Sequence, residues 1–187
     1  MKFFFGKKLN MTQIFTEEGE ALAVTIVKTL PVEFYDRVLE EKRGYSAIMC
    51  KVTNGKKERL VEFRSDKDDF SEMKKGDKFD ESQFIVGDKV TITGISKGKG
   101  FSGTIKRYGF AQGPKTHGSN QQRRLGSIGA AYPQHVLKGQ KMPGRMGNSQ
   151  ITIKNLKVVD VDNKNHFLLI SGAIPGNNGS QVKIVSK

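Results

Sequence analysis

The chain has 187 residues, with 32 Lys and Arg against 19 Asp and Glu, and a formal net charge of +13. This length fits one domain, and it suffices to bury a core without disulfides or a metal. The single cysteine, Cys50, excludes an internal disulfide framework and a thiolate metal cluster. The first residues lack the apolar run of a signal peptide, and no segment has the apolar length of a transmembrane helix. We therefore expect a soluble protein of a reducing compartment.

Most of the chain has the pattern of short β-strands, which are rich in Val, Ile and Thr and bounded by turn residues. The one helical stretch has Phe70 and Met73 on a shared face and acids at its start. Turns are predicted at Asp162–Asn165 and Pro175–Gly179. Short strands at regular spacing indicate a small barrel or a sandwich. In chain order we predict strand Glu20–Lys28, strand Tyr45–Val52, helix Asp66–Lys75, and strands Asp88–Ile95, Gln150–Val161, Phe167–Ser171 and Gln181–Val185.

The excess charge lies in one continuous segment. Residues 89–159 contain no Asp or Glu but nine Lys and four Arg, which is +13, while the other 116 residues hold 19 basic and 19 acidic side chains. An acid-free basic segment in an otherwise neutral chain is the pattern of a protein that binds a polyanion. A solvated charged face, the usual meaning of a short run of charge, does not account for 71 residues without an acid.

The middle of this segment also differs from the rest of the chain in composition and periodicity. Between Ser96 and Asn148 lie 11 of the 21 glycines and three prolines, without a sustained period of 2 or 3.6. Such a stretch cannot form its own packed core, and a loop of this length is uncommon unless it is functional. We therefore expect a β body from residues 1–95 and 150–187, with a helical insertion at about 64–80. Residues 96–149 are expected to form a basic, glycine-rich extension that folds against its partner.

The familiar motifs of nucleotide-binding enzymes are weak here. Gly98–Gly103 matches G-x-G-x-x-G, but no acid follows before Asp160 to hold a ribose, and Gly109 would break a helix. The histidines, His117, His135 and His166, have no partner at a metal-ligand spacing. Cys50 lies in a strand pattern and is interpreted as a buried, inert thiol. We therefore predict no catalytic residue, no metal and no cofactor.

One motif resembles a known family. Ser96–Arg107 is similar to the characteristic stretch of the large-subunit ribosomal protein L3 family, in its bacterial form. Other segments resemble the family in the same order, from one end of the chain to the other. These are Gly6–Phe15, Thr116–Gly118, Gly126–Gly129, Lys138–Gly144, Met146–Asn148 and Gly172–Gly176.

The resemblance implies a mainly β fold with a small closed β-barrel of the Greek-key, translation-protein-like type, a short helical insertion and a long basic irregular extension. It implies a structural constituent of the large ribosomal subunit, not an enzyme. Such a protein binds large-subunit ribosomal RNA early in assembly, and its loop runs toward the peptidyl transferase centre. The implied partners are that RNA and neighbouring ribosomal proteins, at the cytoplasmic ribosome. No membrane, small-molecule substrate or homo-oligomer is expected.

Two positions depart from the family pattern. Asn10 stands where the family usually has Gly, and because Asn tolerates positive φ we expect the turn there to be kept. Tyr132 stands where many bacterial members have a methylated glutamine, and the tip is one residue shorter. We do not expect the modification here.

The basic residues of the extension are the predicted RNA contacts, mostly to phosphate. Tyr108, Phe110 and Tyr132 are candidates for stacking on unpaired bases, whereas Phe101 is expected to pack locally. The loop tip, expected near the peptidyl transferase centre, is Gly129, Ala130, Ala131 and Tyr132. The predicted RNA-binding residues are Lys97, Lys99, Lys106, Arg107, Lys115, His117, Arg123, Arg124, Lys138, Lys141 and Arg145.

Two other functions stay open from the residues alone. A free RNA-binding or chaperone module outside the ribosome would bind through the body, with a disordered extension. A phosphate-binding enzyme would use the Gly98–Gly103 loop. Co-sedimentation with large subunits at high salt separates the first from a ribosomal protein, and nucleotide binding by the purified chain would support the second.

Overall fold

The chain divides into two compact units: a body unit, Met1–Ser96 with Gln150–Lys187, and a basic unit, Lys97–Ser149. The computed structural model describes residues 2–38, 44–64 and 73–186. A 3₁₀ turn covers Glu81–Gln83, and the short helix α1 covers Thr104–Tyr108. The strands are β1 (Lys2–Phe15), β2 (Ala21–Thr29), β3 (Val32–Val38), β4 (Ala47–Asn54), β5 (Lys57–Arg64), β6 (Lys78–Phe79), β7 (Lys89–Ile95), β8 (Phe101–Ser102), β9 (Gly144–Arg145), β10 (Gln150–Asp162), β11 (Phe167–Ser171) and β12 (Gln181–Ser186).

Six strands of the body unit pair in a closed ring, in the order β1-β12-β7-β10-β11-β2, and β2 returns to β1. Every pairing is antiparallel. The alternation of side chains explains which face is buried, since Val182 and Ile184 of β12 lie opposite Gly94 and Ile92 of β7. All four residues are buried, while the residues between them are more exposed.

A second, four-stranded sheet has the order β5-β4-β3-β6. Its β4 is largely buried, with Ile48, Cys50 and Val52 in the core. Its β5 pairs with β4 along its whole length, Lys57 to Arg64, and is mostly exposed and charged. Charge on an edge strand disfavours pairing with another chain.

The core of the body unit joins the ring to the second sheet. Phe3 of β1 lies with its ring centroid 4.3 Å from that of Phe63 and 4.5 Å from that of Phe79. Phe4 and Phe5 are buried as well, so three consecutive aromatic residues of one strand are enclosed. Burial of each such side chain contributes about 1.5–3 kcal/mol to stability. The core is therefore continuous between the two sheets.

The turn that precedes β12 is held to β1 by a buried lysine. Lys8 Nζ donates a hydrogen bond to the carbonyl oxygen of Ile174 at 3.0 Å. The backbone N–H of Gly179 donates to the carbonyl oxygen of Lys8 at 2.7 Å. Gly172 and Gly176, which resemble the ends of the family's closing turn, have φ of 77° and 96°, where glycine is favoured.

The strand predictions are confirmed within one or two residues at each end, and the chain is mainly β. The predicted hairpin turn after β10 is also confirmed. Asp162 Oδ1 accepts hydrogen bonds from the backbone N–H of Lys164 and of Asn165. Hydrogen bonds from the side chain and the backbone of Asn165 lower the pKa of Asp162 below its ordinary value.

The predicted helix Asp66–Lys75 lies largely outside the described residues, as do residues 65–72 of the predicted insertion at 64–80. The described end of that helix, residues 73–75, is not helical. The turn expected at Asn10 is not observed, since Asn10 lies within β1 and is not among the described residues with positive φ. The register of β1 against β2 shifts between Lys8 and Met11, so a bulge takes the place of the expected turn.

Candidate nucleic-acid interface

The basic unit begins and ends on two strands that pair with each other. We call residues 97–110 its outgoing arm and residues 141–149 its returning arm. Phe101 pairs with Arg145 and Ser102 with Gly144 across β8 and β9. Met146 extends this pairing, because its N–H donates to the carbonyl oxygen of Gly100 at 2.8 Å and its own carbonyl accepts from Lys99 N at 2.9 Å. The two arms are thus joined at the base by backbone hydrogen bonds.

Close approach of the arms depends on a glycine. A Cβ atom on Gly147 would lie 2.0 Å from the carbonyl oxygen of Lys97, a distance that no side chain tolerates. The φ of Gly147 is 71°, which also favours glycine. Gly147 lies in the Met146–Asn148 motif, but the sequence does not show why a glycine is required there, because a segment with 11 glycines gives no signal for which of them is needed.

Helix α1 follows the first strand of the outgoing arm. It is capped at its C-terminus by Gly109, whose φ of 73° is left-handed and whose N–H donates to the carbonyl oxygen of Ile105. Arg107 Nη1 on this helix donates to the carbonyl oxygen of Met142 on the returning arm at 2.8 Å. The Gly98–Gly103 loop therefore leads into a helix of only five residues, too short for a dinucleotide-binding helix.

Between the arms the basic unit is irregular and open to solvent. The N–H of Gly113 donates to the carbonyl oxygen of Gln122 at 3.1 Å, and Ser127 Oγ donates to that of Gly129 at 3.0 Å. The Tyr132–Pro133 peptide bond is cis. Every residue from Gly126 to Gln140 is exposed, so this stretch has no core of its own.

All eleven predicted RNA contacts lie in the basic unit, and ten of them are exposed. Arg107 is the exception, because it is half-buried and its guanidinium is hydrogen-bonded to Met142. The unit contains no acid. Within the described ranges, its exposed cations therefore have no local carboxylate to neutralise them. The exposed contacts are Lys97, Lys99, Lys106, Lys115, His117, Arg123, Arg124, Lys138, Lys141 and Arg145.

The aromatic residues of the unit divide into two kinds. Tyr108 has Arg107 Cζ 4.9 Å and Lys141 Nζ 5.8 Å from its ring centroid, and Phe110 lies 6.2 Å away. The space around the Tyr108 ring is thus partly occupied by cations of the same unit. Tyr132, in contrast, is 85 % exposed at the predicted tip. The local packing expected for Phe101 is wrong, since its side chain is 78 % exposed.

The body unit offers little chemistry. Cys50 is buried, and burial raises the pKa of its thiol to about 12, which agrees with the predicted inert thiol. His166 holds the buried Glu81 carboxylate through Nδ1, and its carbonyl oxygen accepts from Thr29 N. In residues 2–38, 44–64 and 73–186, no three His, Cys, Asp or Glu side chains are grouped as a metal site requires. None of the helices in these ranges has the length and apolar character that crossing a membrane requires.

Comparison with known proteins shows which family the sequence belongs to. The family model for Ribosomal protein L3 matches residues 42–168. Large ribosomal subunit protein uL3 of Natranaerobius thermophilus is 40 % identical over an alignment 203 positions long, which covers 98 % of this chain and 96 % of the relative. The uL3 protein of Carboxydothermus hydrogenoformans is 41 % identical over an alignment 198 positions long, which covers 96 % of this chain and 94 % of the relative. That of Bacillus cytotoxicus is 38 % identical over an alignment 202 positions long, which covers 98 % of this chain and 95 % of the relative.

A mainly β body unit and an acid-free basic unit in one chain are typical of a protein that binds a polyanion. With relatives of this identity along almost its entire length, the chain belongs to the ribosomal protein L3 family. The family assignment made from the motifs is confirmed, and so is the expected place of the protein at the ribosome.

Proposed function

We propose that this protein is a structural constituent of the large ribosomal subunit and binds large-subunit ribosomal RNA through its basic unit. One observation supports the proposal. The basic unit has ten exposed basic side chains among the predicted RNA contacts, no acid and no apolar core. A polypeptide of this kind has little to fold around except a polyanion. RNA supplies phosphates for the cations and unpaired bases for the exposed aromatic side chains.

Most of the contacts go to phosphate and give affinity and register rather than base choice. Arg123 and Arg124 suit bidentate phosphate binding, because a guanidinium presents parallel N–H donors. Both are exposed in the irregular part of the unit. His117 is also exposed and has a φ of 58° beside Gly118, so it lies on a tight turn from which it donates to phosphate or base.

The tip of the basic unit, Gly129 to Tyr132, lies near the peptidyl transferase centre in this proposal. The uL3 name of the relatives supports a place in the large subunit. The tip holds no acid, base or nucleophile other than a phenol, so it contributes no chemistry. It acts by positioning RNA, through packing or through stacking of Tyr132, which is worth about 1–3 kcal/mol per base.

The body unit has a different role in the proposal. Its six-stranded ring is a closed β-barrel of the Greek-key, translation-protein-like type, and it contacts neighbouring ribosomal proteins. The body unit has 22 basic and 19 acidic side chains, a net charge of +3, against +10 for the basic unit, so the body is less suited than the basic unit to attract RNA. The protein binds early in assembly, works as a single copy, and needs no catalytic residue, membrane, small-molecule substrate or cofactor.

Binding of protein-free large-subunit RNA as a function of salt tests the proposal. If the basic unit contacts about 6–10 phosphates, affinity falls about 10³–10⁵-fold between 50 and 200 mM salt. A variant in which Asn-Gly replaces residues 96–149 should lose most of that salt dependence. An unchanged dependence would place the binding face on the body unit and favour a free RNA-binding module. Co-sedimentation of the intact protein with large subunits at high salt separates the ribosomal role from that alternative.

A further inference from the structure

Arg107 differs from the other predicted phosphate contacts. It is half-buried, and its Nη1 donates a 2.8 Å hydrogen bond to the carbonyl oxygen of Met142, 35 residues further along the chain. A guanidinium that is charged and hydrogen-bonded to a carbonyl in this way makes one of the stronger classes of hydrogen bond. The contact joins α1 on the outgoing arm to the returning arm.

The surroundings of the guanidinium are shaped to receive it. A Cβ atom on Gly144 would lie 2.8 Å from Nη1 and 3.5 Å from Cζ, so the side chain occupies the space that glycine leaves open. Arg107 Cζ also lies 4.9 Å from the ring centroid of Tyr108, at a distance typical of a cation–π contact. Lys141 Nζ lies 5.8 Å from the same centroid. Hydrogen bond, glycine and aromatic ring together hold one rotamer of Arg107.

We propose that Arg107 is a positioning residue, a latch that sets the two arms of the basic unit in register before RNA is bound. The inference rests on the proposed RNA-binding function. With the latch closed, Lys106, Lys141 and Arg145 are held on adjoining segments as a preformed set. Preorganisation reduces the ordering cost of binding, which is the main cost for a segment without a core.

Lys106 is the matched control. It is the neighbour of Arg107 on α1, it carries the same charge, and it is exposed. A direct phosphate ligand changes the salt dependence of binding when it is removed, by about 0.7–0.9 in the slope of log K against log salt. Lys106→Ala is expected to do this. A positioning residue changes affinity by ordering the protein before RNA is bound. Arg107→Ala should therefore lower the affinity for RNA but leave the slope of log K against log salt close to that of the wild type.

Gly144→Ala separates the two roles without changing any charge. Because φ at Gly144 is not in the positive range, alanine is compatible with the backbone, and its Cβ displaces the flexible guanidinium from Met142. Each of Gly144→Ala and Arg107→Ala should weaken binding to protein-free large-subunit RNA by about tenfold, the loss of one charge-assisted hydrogen bond. The double variant should lose no more than the single ones, because both break the same contact.

Hydrogen exchange of the protein without RNA provides the second measurement. Amides of the returning arm near Met146 should exchange about tenfold faster in Arg107→Ala and in Gly144→Ala, and at the wild-type rate in Lys106→Ala. The melting temperature of the body unit should stay unchanged in all three, which shows that the variants are folded. Normal exchange in Gly144→Ala, with wild-type RNA affinity, would overturn the latch and make Arg107 a phosphate ligand.

Failure of the proposed function gives a different result. If the wild-type protein does not bind the RNA, the proposed function and the positioning role are both overturned, while faster exchange in the two latch variants would still show the contact itself. If the wild-type protein binds and all variants exchange like it, the proposed function stands and the latch does not.

Discussion

Ile95 and Gln150 are direct partners across β7 and β10, although the whole of residues 96–149 lies between them in the chain. The chain therefore leaves the body unit after Ile95 and returns to it at Gln150, at neighbouring ends of two paired strands, as in a β-hairpin. The buried apolar residues of the protein lie outside Lys97–Ser149 without exception in the described ranges. The body unit thus has both a complete core and adjacent ends.

This relationship predicts that the body unit folds without the basic unit. Replacing residues 96–149 by Asn-Gly, a dipeptide suited to a two-residue hairpin turn, should leave one cooperative thermal transition within a few degrees of the wild type. Circular dichroism against temperature measures it. A variant with Pro-Pro in place of Asn-Gly is the control, since proline cannot adopt the positive φ of the turn. Absence of a cooperative transition in the Asn-Gly variant would show that the body unit depends on the basic unit.

A change of charge in the basic unit should impair incorporation into large subunits. Arg124→Glu places an anion where we propose phosphates lie, so repulsion and the loss of a bidentate contact act together. Quantitation of the protein in sucrose-gradient fractions should show a fall of at least tenfold in the large-subunit peak. Arg59→Glu, the same change at an exposed position of β5, should incorporate normally. Equal effects of the two would mean that net charge alone governs incorporation.

A change at the tip should separate assembly from activity. Tyr132→Ala removes a side chain that is 85 % exposed, so it should leave the protein folded and incorporated. In our proposal the loss of stacking alters peptide-bond formation, or sensitivity to drugs that bind the peptidyl transferase centre. Tyr132→Phe keeps the ring and should behave as the wild type. Blocked assembly in Tyr132→Ala, with normal translation by the subunits that do form, would make the tip an assembly anchor instead.

The backbone hydrogen bonds that join the two arms of the basic unit should depend on Gly147. Gly147→Ala brings a methyl group to 2.0 Å from the Lys97 carbonyl oxygen at a φ of 71°, so the arms must separate. Gly126→Ala is a fair comparison, because φ is 81° there and open space surrounds the position. It should cost only about 1–3 kcal/mol of backbone strain. Amide exchange at Lys99 and Met146 should accelerate in Gly147→Ala and not in Gly126→Ala.

The buried thiol gives a prediction that concerns pH. Because the pKa of Cys50 is raised to about 12, the native thiol stays protonated and should resist a maleimide at pH 8 that labels it fully in guanidinium. The unfolded thiol ionises near its ordinary pKa of about 8.5. Ionisation therefore favours the unfolded state between that pH and about 12, and the free energy of unfolding should fall as pH rises in this range. Cys50→Ala should show a smaller fall. Rapid labelling of the native protein at pH 8 would contradict this burial.

The amino-acid sequence by itself determined which part of the chain is basic and where five of the six strands of the ring lie. Charge is a sum over residues and needs no structure, and β2, β7, β10, β11 and β12 each carry enough β-branched residues to be predicted locally. The turn at Asp162–Asn165 was predictable for the same reason, because its hydrogen bonds join residues only two or three apart. Family membership followed from motifs that lie mostly in the irregular part.

Other elements were decided only by tertiary contacts. β1 was missed because Phe3, Phe4 and Phe5 do not alternate, and they have no need to, since ring and second sheet bury them all. β5 is charged and exposed, and its pairing with β4 makes it a strand.

The role of Arg107 shows the same limit in the basic unit. From the sequence it resembles every other cation of the segment. Its different role comes from a hydrogen bond to a carbonyl 35 residues away and from the space left by Gly144. Neither can be inferred from the sequence, because both depend on how the two arms pack together.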